Sequence, residues 1–158
     1  RPAHLAVLRG GTEAQGLADL NADVLGRRAL ARLEGLSVPS RHDGLPIDAW
    51  VALPPGFRAD GTAPLILEIH GGPNAMYGPF FAAEIQRYGA EGYVVVYANP
   101  RGSTGYGEAF ALRIDQAYPG HDHDDLMSVV DAIVAKGYAD PQRLFITGGS
   151  GGDRKSVV

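Results

Sequence analysis

The chain predicts an α/β architecture, an antiparallel hairpin leading into a mostly parallel sheet. Three observations carry that expectation. From Pro64 onward, short apolar runs alternate with amphipathic stretches, the pattern of strand–helix–strand units. Before Pro64, two extended runs flank His42-Asp43-Gly44, a hairpin signal. Gly148-Gly149-Ser150-Gly151-Gly152 then follows an apolar run, the composition of a sharp strand-to-helix turn with serine at its apex.

Taken in order, Leu5-Ala6-Val7-Leu8 reads as a strand without a partner in the chain, closed by Gly10-Gly11. Residues 21–33 read as a short helix or an irregular link. In the hairpin, Asp-Gly predicts a type I′ turn, with Ile47, Val51 and Leu53 on one face and Pro54-Pro55-Gly56 as the stop. Leu65–Ile69 and Tyr93–Tyr97 are nearly continuous apolar runs, as in strands covered on both faces. Between them Phe81, Ile85 and Tyr88 space as one helix face ended by Gly89 and Gly92. A loop at 99–107 enters a short helical stretch near Glu108–Ile114. Leu126, Val129, Val130 and Ile133 form a helical stripe, with Asp122, Asp124 and Asp125 suited to its positive N-terminus. Leu144–Thr147 reads as a buried strand that carries Ser150. Phe80, Phe81, Tyr88, Tyr93 and Tyr97 are expected in the core.

Composition narrows the function classes. A net charge of −4 with no basic cluster argues against a nucleic-acid surface. No apolar run approaches the ~18 residues that span a bilayer. With no cysteine, thiolate chemistry and disulfides are excluded. Oligomeric state and compartment leave no mark in the sequence.

The chemistry concentrates at Ser150. In a G-x-S-x-G elbow the serine sits on a strained turn that lifts its hydroxyl clear of the backbone, and flanking side chains would collide. By itself the pattern is also met by a glycine-rich loop with a solvated serine.

The motifs together are more specific. His70-Gly71-Gly72-Pro73, Asn99-Pro100-Arg101-Gly102-Ser103-Thr104-Gly105-Tyr106-Gly107 and Gly148–Gly152, in this order, resemble the catalytic domain of the prolyl oligopeptidase family of serine peptidases, nearest its acylaminoacyl-peptidase-like branch. The resemblance covers about residues 30–152. It implies the N-terminal half of an α/β-hydrolase domain at 34–152, a linker at 21–33 and the end of a β-propeller at 1–20. It implies Ser150 as nucleophile, with the backbone N–H groups of Gly151 and Gly72 as oxyanion donors. His70, Gly71, Asn99 and Arg101 become loop-shaping residues, and the partner becomes a peptide substrate. The family's acid and base follow its serine in the order Ser, Asp, His. Residues 153–158 hold no histidine and, with Asp153 where a small residue is usual, read as a non-native tail. The expectation is therefore a chain truncated just after the nucleophile and inactive alone.

Rival readings are weaker. His70 as a base is set below His70 as a hydrogen-bonded loop residue. His121-Asp122-His123-Asp124-Asp125 carries metal-ligand types, but a polar helix cap explains it, and no metal is expected. Gly102–Gly107 lacks both G-x-G-x-x-G spacing and a P-loop lysine, so no phosphate cofactor is expected. An esterase on the same fold, and a non-catalytic fragment or binding module, remain the alternatives.

Overall fold

Strand pairing starts from Pro46–Leu53, whose alternate residues Ile47, Ala49, Val51 and Leu53 are fully buried. The computed structural model describes residues 5–8, 10–11, 14–72 and 74–155. Part of the expected propeller end, Pro73 of the His70–Pro73 loop and residues 156–158 of the expected tail lie outside the described residues.

The elements are β1 (Leu5–Val7), β2 (Gln15–Ala18), α1 (Ala22–Leu25), β3 (Arg32–Pro39), β4 (Pro46–Leu53), β5 (Leu65–Ile69), α2 (Ala83–Ala90), β6 (Val94–Ala98), α3 (Glu108–Ala111), α4 (Asp122–Ala135), β7 (Leu144–Gly148) and α5 (Gly151–Lys155). A short 3-10 turn, Leu112–Ile114, follows α3. β1 and β2 form a two-stranded sheet, and the main sheet runs β3-β4-β6-β5-β7. β3, β4 and β6 pair antiparallel. β5 runs parallel to both β6 and β7. The main sheet is thus mixed, antiparallel on the β3 side and parallel on the β7 side.

Helices cover both faces, which is why β5 and β6 carry apolar residues at successive positions. On one face Leu126, Val129, Val130 and Ile133 of α4 pack on Val51, Leu67 and Val96. On the other, Ile85 of α2 packs with Ile66, Val95 and Tyr97.

Four expectations are corrected. Leu5–Val7 has a partner: Gly10, at φ +61, helps reverse the chain, and Leu5 pairs with Ala18 and Val7 with Gln15. The β3–β4 turn is not type I′, because Asp43 is not among the residues at positive φ and only Gly44, at +74, is. The Asp43 carboxylate instead accepts the Leu45 N–H at 3.2 Å, and the wider loop is closed by Ser40 N–H to Leu45 O at 2.8 Å. Phe80 is exposed, since it precedes α2 rather than lying on its inner face. Leu144, Phe145 and Ile146 are 43–52% exposed, because β7 forms the sheet edge and β5 is its one strand partner among the described residues.

Candidate active site

The end of β7 breaks into α5 through Gly149 and Ser150. Ser150 has φ +56, and Gln116 is the other non-glycine at positive φ among the described residues. A side chain pays for that left-handed conformation, and such strain concentrates at functional sites. The turn is held by the Gly152 N–H donating to Gly149 O at 3.0 Å. It leaves Ser150 exposed.

The glycines around it divide by steric need. A Cβ on Gly148 would lie 2.5 Å from Ile69 O, and one on Gly152 2.2 Å from the same oxygen. On Gly149 it would meet nothing within 4 Å. The two glycines that the G-x-S-x-G pattern demands are thus the two that the end of β5 forces.

The His70–Gly72 loop leaves β5 and leans on this elbow. A Cβ on Gly71 would lie 3.2 Å from the Ser150 Cβ and 3.0 Å from Gly149 O. One on Gly151 would lie 2.7 Å from Gly72 O and 3.1 Å from Gly72 N. Gly72 has φ +127, a conformation open to glycine. The fold therefore brings Ser150, Gly151, Gly71 and Gly72 together across 78 residues of sequence, from Gly72 to Ser150.

His70 is buried behind the loop. Its Nδ1 lies 2.7 Å from Gly71 O, and its Nε2 lies 3.1 Å from Ser103 Oγ. Ser103 Oγ in turn donates to Pro100 O at 2.7 Å. Among the hydrogen bonds of the described residues, none joins His70 to Ser150.

Asn99 and Arg101 point into the scaffold. Buried Asn99 accepts the Tyr77 N–H at 2.7 Å and donates to Tyr77 O at 3.0 Å and Tyr106 Oη at 2.8 Å. Arg101 grips Asp125 through Nε at 2.9 Å and Nη2 at 2.8 Å, and its own backbone N–H bonds the same carboxylate at 2.8 Å. Its Nη2 also reaches Asp43 at 3.0 Å. This clamp, led by Asp125, holds the guanidinium far above its usual range. It ties the 99–107 loop to α4 and to the hairpin turn.

Sequence reasoning missed three participants. Tyr118 Oη donates to Gly151 O at 2.8 Å, a contact over 33 residues that left no local signal. Ser103 was hidden inside a glycine-rich loop. Asp125 did leave a trace: it lies one turn before Val129 on the apolar stripe, and a carboxylate there needs a cation partner.

The acidic stretch at 121–125 does not converge on one point. Asp122 and Asp125 are buried within the scaffold, Asp122 accepting the Gly120 N–H at 2.7 Å. Donor atoms of His42, His121 and Asp124 do lie within 4.8 Å of one another. Their geometry is that of a hydrogen-bonded surface cluster. The imidazoles stack at 3.3 Å, nearly parallel. Both Asp124 oxygens are engaged, by His121 Nδ1 and Arg41 Nε at 2.9 Å each. Those two bonds, His121 first, bring its carboxyl down to about 2.

Residues 79–153 match the prolyl oligopeptidase family. Over that stretch the chain is similar to this family. The uncharacterized peptidase YuxL of Bacillus subtilis is 40% identical over 153 residues, which cover 96% of this chain and 23% of that protein. The acylaminoacyl peptidase of Pyrococcus horikoshii superposes with a TM-score of 0.87 at 33% identity, over 98% of this chain and 25% of its own. A structure of an acylaminoacyl peptidase in complex with Z-Gly-Gly-Phe-chloromethyl ketone gives 0.85 at 35% identity, over 96% and 24%. The chain thus spans about a quarter of the length of these relatives. No described helix is long and apolar enough to cross a membrane.

Proposed function

We propose that this chain carries the nucleophile and oxyanion half of a serine peptidase that cleaves oligopeptides through an acyl-enzyme on Ser150. The observation that carries the reading is Ser150 at φ +56 between β7 and α5, with the Gly72 backbone seated against Gly151. The Ser150 oxygen attacks the peptide carbonyl as its proton passes to a general base. The bond to the leaving amine breaks as that base returns the proton, and water then releases the acyl group. The N–H groups of Gly72 and Gly151 receive the charge on the tetrahedral oxygen, and one such donor is worth about 10²–10³ in kcat.

The base is assigned to a histidine, oriented by an aspartate, in sequence C-terminal to Ser150 in the whole protein. Among the described residues no histidine hydrogen-bonds Ser150, and His70 is held by Gly71 and Ser103. The 158-residue chain alone is accordingly assigned no turnover. A peptide substrate is supported by the peptide chloromethyl ketone bound to the acylaminoacyl peptidase. The test is a fluorophosphonate probe on the whole protein. It labels the parent and spares Ser150→Ala; equal labelling of both removes Ser150 from the mechanism.

A further inference from the structure

The turn at Ser150 is closed by the Gly152 N–H on Gly149 O at 3.0 Å, so Ser150 and Gly151 are its two central residues. The peptide between those two carries the Gly151 N–H. Residue 151 is held to glycine, because a Cβ there would lie 2.7 Å from Gly72 O and 2.9 Å from Tyr118 Oη. Glycine leaves the backbone on either side of it loosely restrained. A donor assigned to the transition state thus sits on the residue type least able to hold it still.

Tyr118 supplies a restraint from outside the turn. Its Oη donates to Gly151 O at 2.8 Å. The Gly151–Gly152 peptide is then held at both edges, its N–H by Gly149 O and its carbonyl by Tyr118, and the planar unit that follows the donor is fixed. The loop that brings Tyr118 there is anchored on both sides. The Ala117 N–H bonds the carbonyl of buried Ile114 at 3.0 Å, and the Gly120 N–H bonds buried Asp122 at 2.7 Å. Gln116, at φ +52, lies two residues before Tyr118. The two non-glycine residues at positive φ among the described residues, Ser150 and Gln116, thus each stand within two residues of this contact, where backbone strain marks a constrained geometry.

We propose that Tyr118 is a positioning residue whose hydroxyl fixes the Gly151 backbone, and with it the direction of the Gly151 N–H. The proposal rests on the Ser150 reading. It makes the hydroxyl matter to the transition state and not to substrate binding.

The experiment is steady-state hydrolysis of a peptide p-nitroanilide by the whole protein and its Tyr118→Phe, Tyr118→Met and Ser150→Ala variants, with inhibition by a peptide boronate and thermal melting of each. The boronate forms a tetrahedral adduct on a serine oxygen, so its affinity reads the same N–H donors as the transition state. Tyr118→Phe keeps the ring and loses the donor. Its kcat falls about 5–30-fold with KM within about twofold, and boronate affinity falls by the same factor as kcat/KM. An unchanged kcat, a loss carried by KM, or boronate affinity unchanged while kcat falls overturns the proposal. Should Tyr118→Phe fail to fold, Tyr118→Met, which fills the space without a donor, is read by the same criteria; if neither folds, Tyr118 is a structural residue and the positioning role falls. Ser150→Ala separates the two levels. If it is inactive and Tyr118→Phe matches the parent, only the positioning role falls. If it turns over substrate like the parent, or the parent has no turnover, the Ser150 reading falls and takes this role with it.

Discussion

Gly152 sits so close to Ile69 that a Cβ on the glycine would lie 2.2 Å from the Ile69 carbonyl oxygen. The elbow and the end of β5 are thus fitted backbone to backbone. Gly152→Ala has to separate them and is expected to cost about 1–3 kcal/mol or more, with loss of fluorophosphonate labelling in the whole protein. Gly149→Ala meets open space and is expected to stay within about 0.5 kcal/mol of the parent. Chemical denaturation of both variants checks this; equal stabilities would refute the steric account of the motif.

Asp125 and Arg101 form the buried half of the loop clamp, with side chains 0% and 6% exposed. Removing the carboxylate strands a buried guanidinium. Asp125→Ala is expected to cost about 3–5 kcal/mol. Asp43 grips the same guanidinium from a more solvated position, and Asp43→Ala is expected to cost far less than Asp125→Ala. Urea unfolding measures both, and a larger loss at Asp43 would reverse the assignment.

Glu68 faces the α2 side of the sheet, where burial first and Glu84 second raise its carboxyl above the usual range. Between the unfolded value and the higher folded one, the folded state therefore holds a proton that the unfolded chain has released. The resulting stability is present below the unfolded pKa, about 4.3, and is lost as pH rises through the higher folded value. Glu68→Gln removes that decline. Its melting temperature is expected to exceed the parent's by more at pH 7 than at pH 4, and a gap independent of pH would contradict the burial argument.

β7 offers Leu144, Phe145 and Ile146 along an open strand edge. Such an edge templates pairing between copies. The 158-residue chain is expected to aggregate on concentration, and Ile146→Lys to delay it. Light scattering decides, and a chain that stays monomeric without the lysine would show the edge to be harmless.

Much of the fold was legible because its signals are local. The stripe from Leu126 to Ile133, the apolar runs of β5 and β6 and the strand–turn–helix around Ser150 each follow from residue spacing. The β3–β4 turn departs from type I′, and its Asp43 carboxylate binds distant Arg101 as well as the nearby Leu45 N–H. Leu144–Ile146 read as buried because an apolar run states a preference, and exposure depends on which strands lie alongside.

The sequence alone determined the order of the elements, the steric demand for glycine around Ser150 and the place of that serine at the apex of the elbow, since all three are written in residues close together along the chain. Only the tertiary structure decided that Gly72 meets Gly151, that Tyr118 holds the Gly151 carbonyl and that Asp125 clamps Arg101. Those contacts join residues 24 or more positions apart. Sheet order and helix packing create such distances, and no local pattern encodes them.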